Sequence, residues 1–260
     1  MTTRTEFIRR VTAALGYTGP PEHRRAMAYA ARPGSEAARI VKRVRARTDA
    51  DRSALLQQLI TQGKPLNLTV IPKNGPGAVA TSIAELAAQK VPEWDGPKSV
   101  AVWRHPLIDR LGLPEILAPL GIPVDAPPRA PDDLMQAHAP APVRRRLASG
   151  FIGVTSADFC LAETGTLVMK TVPGHERSIS LLPSLHVAVI DIGQIILNLA
   201  ELYAVLRHDG QPPDHALTNC LTLISGPSKT ADIELTMVHG AHGPRELHLF
   251  VITPPPVSIP

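Results

Sequence analysis

Residues 150–191 read GFIGVTSADFCLAETGTLVMKTVPGHERSISLLPSLHVAVID, a stretch in which strand-like apolar runs flank one compact polar turn at 162–166. That turn, Ala162-Glu163-Thr164-Gly165-Thr166, places a carboxylate, two hydroxyls and a glycine where the neighbouring residues bury hydrocarbon. Either it is a structural cap or its polar atoms are presented to a ligand. A second polar turn, Ser225-Gly226-Pro227-Ser228-Lys229-Thr230-Ala231-Asp232, follows the apolar run 221–224 and has the same character. The expectation is that the two turns face one pocket.

Around these turns the pattern alternates. Apolar runs at 67–71, 99–103, 122–124, 152–155, 166–169, 186–190, 221–224 and 247–252 read as strands. Helical spacing appears at 81–90 and 106–117, and a helix is expected from Asp191 through Leu206. Strands separated by helices of about ten residues indicate an α/β fold with a mostly parallel sheet. Ahead of it, residues 3–15 and 35–60 carry apolar residues at helical spacing, so 1–63 is expected to form a helical N-terminal arm and 64–260 an α/β domain. Residues 127–142 hold a cluster of prolines and read as loop, and the prolines at 254–256 end the last strand because they lack an N–H.

Composition removes several classes of function. Aromatic residues make up 3% of the chain, too few for the stacking platforms that bind single-stranded nucleic acid. Arg39, Lys42, Arg43, Arg45 and Arg47 crowd one helical stretch, but such a run is most often a solvated face, and no nucleic-acid partner is expected. The net charge of +4 leaves an anionic small molecule or an acidic partner protein as natural company. Two cysteines, Cys160 and Cys220, cannot by themselves hold an iron–sulfur cluster or a structural zinc. They suit a reducing cytoplasm. The start of the chain lacks an apolar signal region, and no apolar run approaches the roughly 18 residues of a membrane span.

The candidate chemistry sits in three places. The 225–232 turn is not a phosphate-binding P-loop, since GxxxxGK[ST] is absent. It does offer backbone N–H groups, the hydroxyls of Ser228 and Thr230, and the Lys229 ammonium, a set that can hold a phosphate or carboxylate at a strand-to-helix turn. Lying after a strand, it fits the rule that ligands sit beyond the carboxyl ends of strands in open α/β sheets. The bland alternative is that its serines cap a helix whose positive end Asp232 favours. Glu163, flanked by apolar residues, is expected to be desolvated and could serve as general base or nucleophile. His239 and His242 could bind metal only with a third ligand that is not apparent, so no metal is expected; His242 is the better candidate, for orienting a ligand or moving a proton.

At these residues the chain resembles the LUD-domain family, and within it the lactate utilisation protein C group. The resemblance rests on the 162–166 turn, Ser180-Leu181-Leu182-Pro183 before the His186 strand, Gly226-Pro227-Ser228 with Thr230-Ala231-Asp232-Ile233-Glu234, and Gly240-Ala241-His242-Gly243-Pro244. It implies a layered fold similar to that of ribose-5-phosphate isomerase and the CoA-transferases. It also implies an accessory role in the oxidation of L-lactate to pyruvate alongside iron–sulfur partner proteins, in a member that carries no cluster or other cofactor itself. Lys229 stands where the family is expected to have arginine, which exchanges a bidentate fork for a point charge.

The resulting expectation is a cytoplasmic accessory subunit that binds a small anionic ligand, its partner subunits, or both, with a homo-oligomer left open. Glu163 and His242 are the catalytic candidates. Thr164, Gly165, Thr166, Gly226, Pro227, Ser228, Lys229, Thr230, Asp232 and Gly243 are the ligand-binding candidates. The alternative is a stand-alone isomerase or acyl-/CoA-transferase-type enzyme acting on sugar phosphates or acyl thioesters.

Overall fold

The computed structural model describes residues 3–14, 35–92, 96–127, 150–172, 174–208, 220–231, 237–240 and 242–254. Asp232, the side chains of Thr230 and His239, and the proline-rich 128–149 stretch lie outside the described part. The helices are α1 (Arg4–Ala14), α2 (Ser35–Arg45), α3 (Asp49–Gly63), α4 (Gly75–Gln89), α5 (Pro106–Asp109), α6 (Leu113–Leu117), α7 (Ser178–Leu181) and α8 (Leu199–His208). The main strands are β1 (Leu68–Asn74), β2 (Val100–Val102), β3 (Val124–Asp125), β4 (Ile152–Ser156), β7 (Leu185–Asp191) and β12 (Glu246–Thr253). They form one sheet in the order β1-β12-β7-β4-β2-β3, with every pairing parallel.

A parallel sheet covered on both faces needs apolar side chains at successive positions. Here Val187 and Val189 join one core with α4, α5 and α6, while Ala188 and Ile190 join a second core on the opposite face. The alternation repeats in β2 and the residue after it, where Val100 and Val102 face the first core and Ala101 and Trp103 the second. Leu55, Leu56 and Leu59 of α3 enter the second core as well, so the helix preceding residue 63 packs directly on the sheet.

A smaller sheet completes the second face. Its strands are β5 (Phe159–Leu161), β6 (Thr166–Lys170), β8 (Ile195–Ile196) and β9 (Leu221–Ser225), in the order β8-β5-β6-β9. Leu167 and Met169 point to the second core, while Val168 packs on Leu202 and Leu206 of α8. A separate hairpin joins β10 (Lys229–Ala231) to β11 (Met237–His239).

Four local expectations are corrected. The helix expected from Asp191 begins only at Leu199, because Asp191 and Gln194 close a capping box on one short 3-10 turn and Ile195–Ile196 then pairs with β5. The 106–117 helix is two short helices, separated where Gly112 takes φ 59. The helix expected at 81–90 starts earlier, at Gly75. The second polar turn leads into β10 rather than a helix, so its serines have no helix there to cap.

Arg47 ties the N-terminal segment to this body. Its Nη2 donates to both oxygens of Glu201, at 2.8 and 2.6 Å, and Glu201 is 2% exposed. Leu197 N also donates to Glu201, at 2.7 Å, and Arg43 lies 3.7 Å away. Removing one charge from a buried pair leaves the other uncompensated. Glu201→Gln keeps the shape but not the charge, and is expected to cost about 2 kcal/mol in urea unfolding.

Candidate functional site

The two polar turns meet through their strands. β6 and β9 are antiparallel neighbours with Thr166 opposite Ser225, and the two side-chain oxygens lie 2.7 Å apart. Thr164 Oγ1 is 2.7 Å from Thr166 Oγ1, so three hydroxyls form a chain running from the first turn to the second. Leu66 packs under both turns, against Gly165 on one side and Gly226 on the other.

Beside this junction lies a cleft of about 320 Å³. Ser225, Gly226, Pro227 and Ser228 form one wall, and His242, Gly243 and Pro244 another. The turn 225–228 is fixed by Ser228 N donating to Pro244 O at 2.8 Å and Gly240 N donating to Ser228 O at 3.1 Å. Arg177, Ser180 and Leu181 supply a third wall, and His186 and Leu247 reach it from the sheet. The cleft therefore opens near the amino ends of β7 and β12. The carboxyl-end rule does not apply to the second turn, which follows β9 of the smaller sheet.

Among the predicted ligand-binding residues, Gly226, Pro227, Ser228 and Gly243 line the cleft, as does the predicted catalytic residue His242. Thr166 reaches the cleft through Ser225. Glu163, Thr164, Gly165 and Lys229 do not line it. Glu163 and Lys229 are exposed. The expected desolvation of Glu163 is thus absent: the apolar neighbours in sequence belong to strands that turn their own side chains inward, leaving the carboxylate in water.

Four polar lining residues outside the two predicted turns have no counterpart among the expected site residues: Arg177, Ser180, His186 and Thr222. No carboxylate among the described residues pairs with Arg177, and none lines the cleft. Thr222 Oγ1 is buried without a hydrogen-bond partner. His186 was readable as an anomaly, a ring with two polar atoms inside an apolar strand. Its Nε2 lies 2.8 Å from Thr155 Oγ1, and both residues are buried.

Burial pushes the His186 imidazole down from 6.5 to about 3. As pH falls, the unfolded chain takes up this proton before the folded one does. The stability contributed by neutral His186 is complete above about pH 6.5 and is lost at roughly 1.4 kcal/mol per pH unit on the way down to about 3. His186→Gln, which keeps a partner for Thr155, is expected to flatten the stability–pH curve below about pH 6.5. Urea melts across that range measure it; an unchanged slope contradicts the assignment.

A second group of side chains gathers around the segment 174–176 that leads to Arg177. Trp103 and His175 stack with ring centres 4.3 Å apart, and Trp103 Nε1 donates to Glu176 O at 3.1 Å. Arg104 N donates to Gly174 O, also at 3.1 Å. His105 is 5.4 Å from His175. Burial lowers the pKa of both imidazoles and raises that of Glu176. His175 Nδ1 and Glu176 Oε2 are buried without partners. This group sits where β2 and β4 end, at the point where successive strands begin to be added in the opposite direction across the sheet. In parallel sheets that crevice is a common ligand location.

The geometry defines an α/β protein with a parallel core sheet and a polar cleft whose walls include the 225–228 and 242–244 turns; the 162–166 turn adjoins it through Thr166 and, contrary to expectation, does not face it. The chain belongs to the LUD-domain family, whose model matches residues 22–252. A relative named lactate utilization protein C in Halalkalibacterium halodurans is 31% identical over 160 residues, 62% of this chain and 65% of that protein. The relative of the same name in Exiguobacterium is 42% identical over 96 residues, 36% of this chain and 40% of that protein. The matched stretches thus span less than two thirds of these relatives. A solved structure of a DUF162 family protein from Deinococcus radiodurans is 21% identical, with a TM-score of 0.48 over 78% of this chain and 98% of that one. No described helix is long and apolar enough to cross a membrane.

Proposed function

We propose that the protein is an accessory subunit of a cytoplasmic system oxidising L-lactate to pyruvate, working beside iron–sulfur partner proteins and binding a small anion in the cleft. The observation that carries the anion reading is the Arg177 guanidinium, free of any described carboxylate, on a cleft lined by Ser225 and Ser228; the Ser180 hydroxyl donates to Arg177 O at 3.0 Å and so fixes the cationic wall. Guanidinium and hydroxyl donors together suit a carboxylate or phosphate. The names of the relatives supply the link to lactate.

In this reading the described 35–63 part of the N-terminal arm braces the body that carries the site, through Leu55, Leu56 and Leu59 in the second core and Arg47 on Glu201. Cys160 is buried, with its thiol pushed up to about 12, which fits a packing role. Deleting the gene is expected to abolish growth on L-lactate, and the tagged protein is expected to co-purify with cysteine-rich iron–sulfur proteins. Normal growth of the deletion strain, with a protein that stays alone on purification, counts against the proposal.

A second reading draws on the group at the ends of β2 and β4. His105, His175 and Glu176, with shifted proton affinities and two unpartnered polar atoms, are the equipment of an acid–base enzyme. A stand-alone isomerase or acyl-transferase, with a fold similar to ribose-5-phosphate isomerase and the CoA-transferases, would use that group in preference to the exposed Glu163. Turnover of a sugar phosphate or acyl thioester that is lost in His175→Gln and kept in Glu163→Gln would favour it over the accessory role.

A further inference from the structure

Resting on the anion-binding reading of the cleft, we infer that its ligand is a small monocarboxylate rather than a phosphate ester, and that Thr166 is a positioning residue setting the Ser225 hydroxyl toward it. Charge is the first argument. Arg177 is the one lysine or arginine among the described lining residues. Lys229, which could have balanced a second negative charge, is exposed and outside the lining. The imidazole that reaches the cleft from the sheet, His186, is hydrogen-bonded to Thr155 in a fully buried pair and is held neutral by that burial. His242 sits exposed at the rim. One fixed positive charge matches one negative charge; a phosphate dianion would leave an excess charge in a part-enclosed site. The guanidinium fork also fits the two oxygens of a carboxylate.

The hydroxyls are the second argument. Each Ser or Thr hydroxyl has one proton to donate. In the chain Thr164–Thr166–Ser225, both contacts are 2.7 Å. If Thr164 donates to Thr166, and Thr166 to Ser225 at 2.7 Å in preference to the Thr164 carbonyl oxygen at 3.3 Å, the Ser225 proton is left over for an oxygen in the cleft. With the chain reversed, Ser225 spends its proton on Thr166 and offers the cleft only lone pairs, which repel an anion. An anion beside Arg177 selects the first polarity, and Thr166, which does not line the cleft, enforces it.

The test is calorimetric titration of the whole chain near neutral pH with three probes: propionate, inorganic phosphate and glycerol 3-phosphate. Propionate is expected to bind at least about tenfold more tightly than glycerol 3-phosphate, the scale of one unmatched charged hydrogen bond. Thr166→Val, which keeps the shape, is expected to weaken propionate about tenfold; Thr166→Ser should restore it. Ser225→Ala should match Thr166→Val, and the double variant should be no weaker than either, since both break one chain. Circular dichroism melts confirm that the variants are folded. Tighter binding of the phosphate ester overturns the monocarboxylate assignment while leaving an anion cleft in place. Wild-type affinity in Thr166→Val, or additive losses in the double variant, overturns the positioning role. Failure of all three probes to bind the wild type removes both this inference and the anion-binding reading beneath it.

Discussion

Gly153→Ala is expected to destabilise the protein by about 3 kcal/mol or more and to abolish anion binding in whatever fraction still folds. Gly153 lies on β4 opposite His186, on the face that carries the second core. The Ile179 carbonyl of α7 sits directly against it, and a methyl added there would overlap that oxygen and crowd Pro183. Neither neighbour is the loose end of a side chain. Relief requires α7 to lift off the sheet, and α7 with its preceding residue carries Arg177, Ser180 and Leu181 to the cleft. One methyl therefore attacks core packing and the cationic wall together. Urea unfolding reads the first effect and titration calorimetry the second. Gly193→Ala is the matched control: it has open space around it and should change stability by less than about 0.5 kcal/mol.

Gly226→Ala is expected to cost about 2–4 kcal/mol and to weaken anion binding more than any other change in the second turn. Two penalties combine. Gly226 has φ 76, in the left-handed region that side chains rarely adopt. Its added methyl would also overlap the Leu66 carbonyl oxygen. Leu66 touches Gly165 of the first turn too, so moving it disturbs both turns. The variant should lose binding even at temperatures where circular dichroism shows it folded, because the Ser225–Ser228 wall is the part displaced. A Gly226→Ala protein with wild-type stability and affinity would mean that the two turns are not held by this contact.

The parallel sheet was legible because strands buried on both faces are apolar at successive positions, as in residues 187–190 and 249–252. The short strands at 159–161 and 195–196 were not. Three residues or two give no period to count, and what makes them strands is their pairing with each other. Asp191 looked like a helix start for a sound reason, since it does cap a turn; Gln194 closes that turn at once. Within the site, the two polar turns were visible as polar atoms out of place, and they do meet, at Thr166 and Ser225. The cationic wall that faces the second turn was hidden. Arg177 stands in a loop of mixed composition, and only the folding of that loop against Trp103 and Arg104 brings it to the cleft. His186 carried a signal in the sequence, an imidazole in an otherwise apolar strand, and its pairing with Thr155 across the sheet explains how it is tolerated. Glu163 shows the opposite case: its apolar neighbours in sequence say little about a side chain at the exposed tip of a turn.

The central claim is that the second polar turn, Gly243 and Arg177 form one anion-binding cleft, which the first turn supports from outside through Thr166. Amide chemical-shift mapping of the isotope-labelled protein during a propionate titration tests it most directly. The predicted result is a saturable set of shifts at Ser225, Gly226, Ser228 and Gly243, with Thr166 moving in step, all lost in Arg177→Gln. Shifts that centre on residues away from these turns, or that persist undiminished in Arg177→Gln, would contradict it.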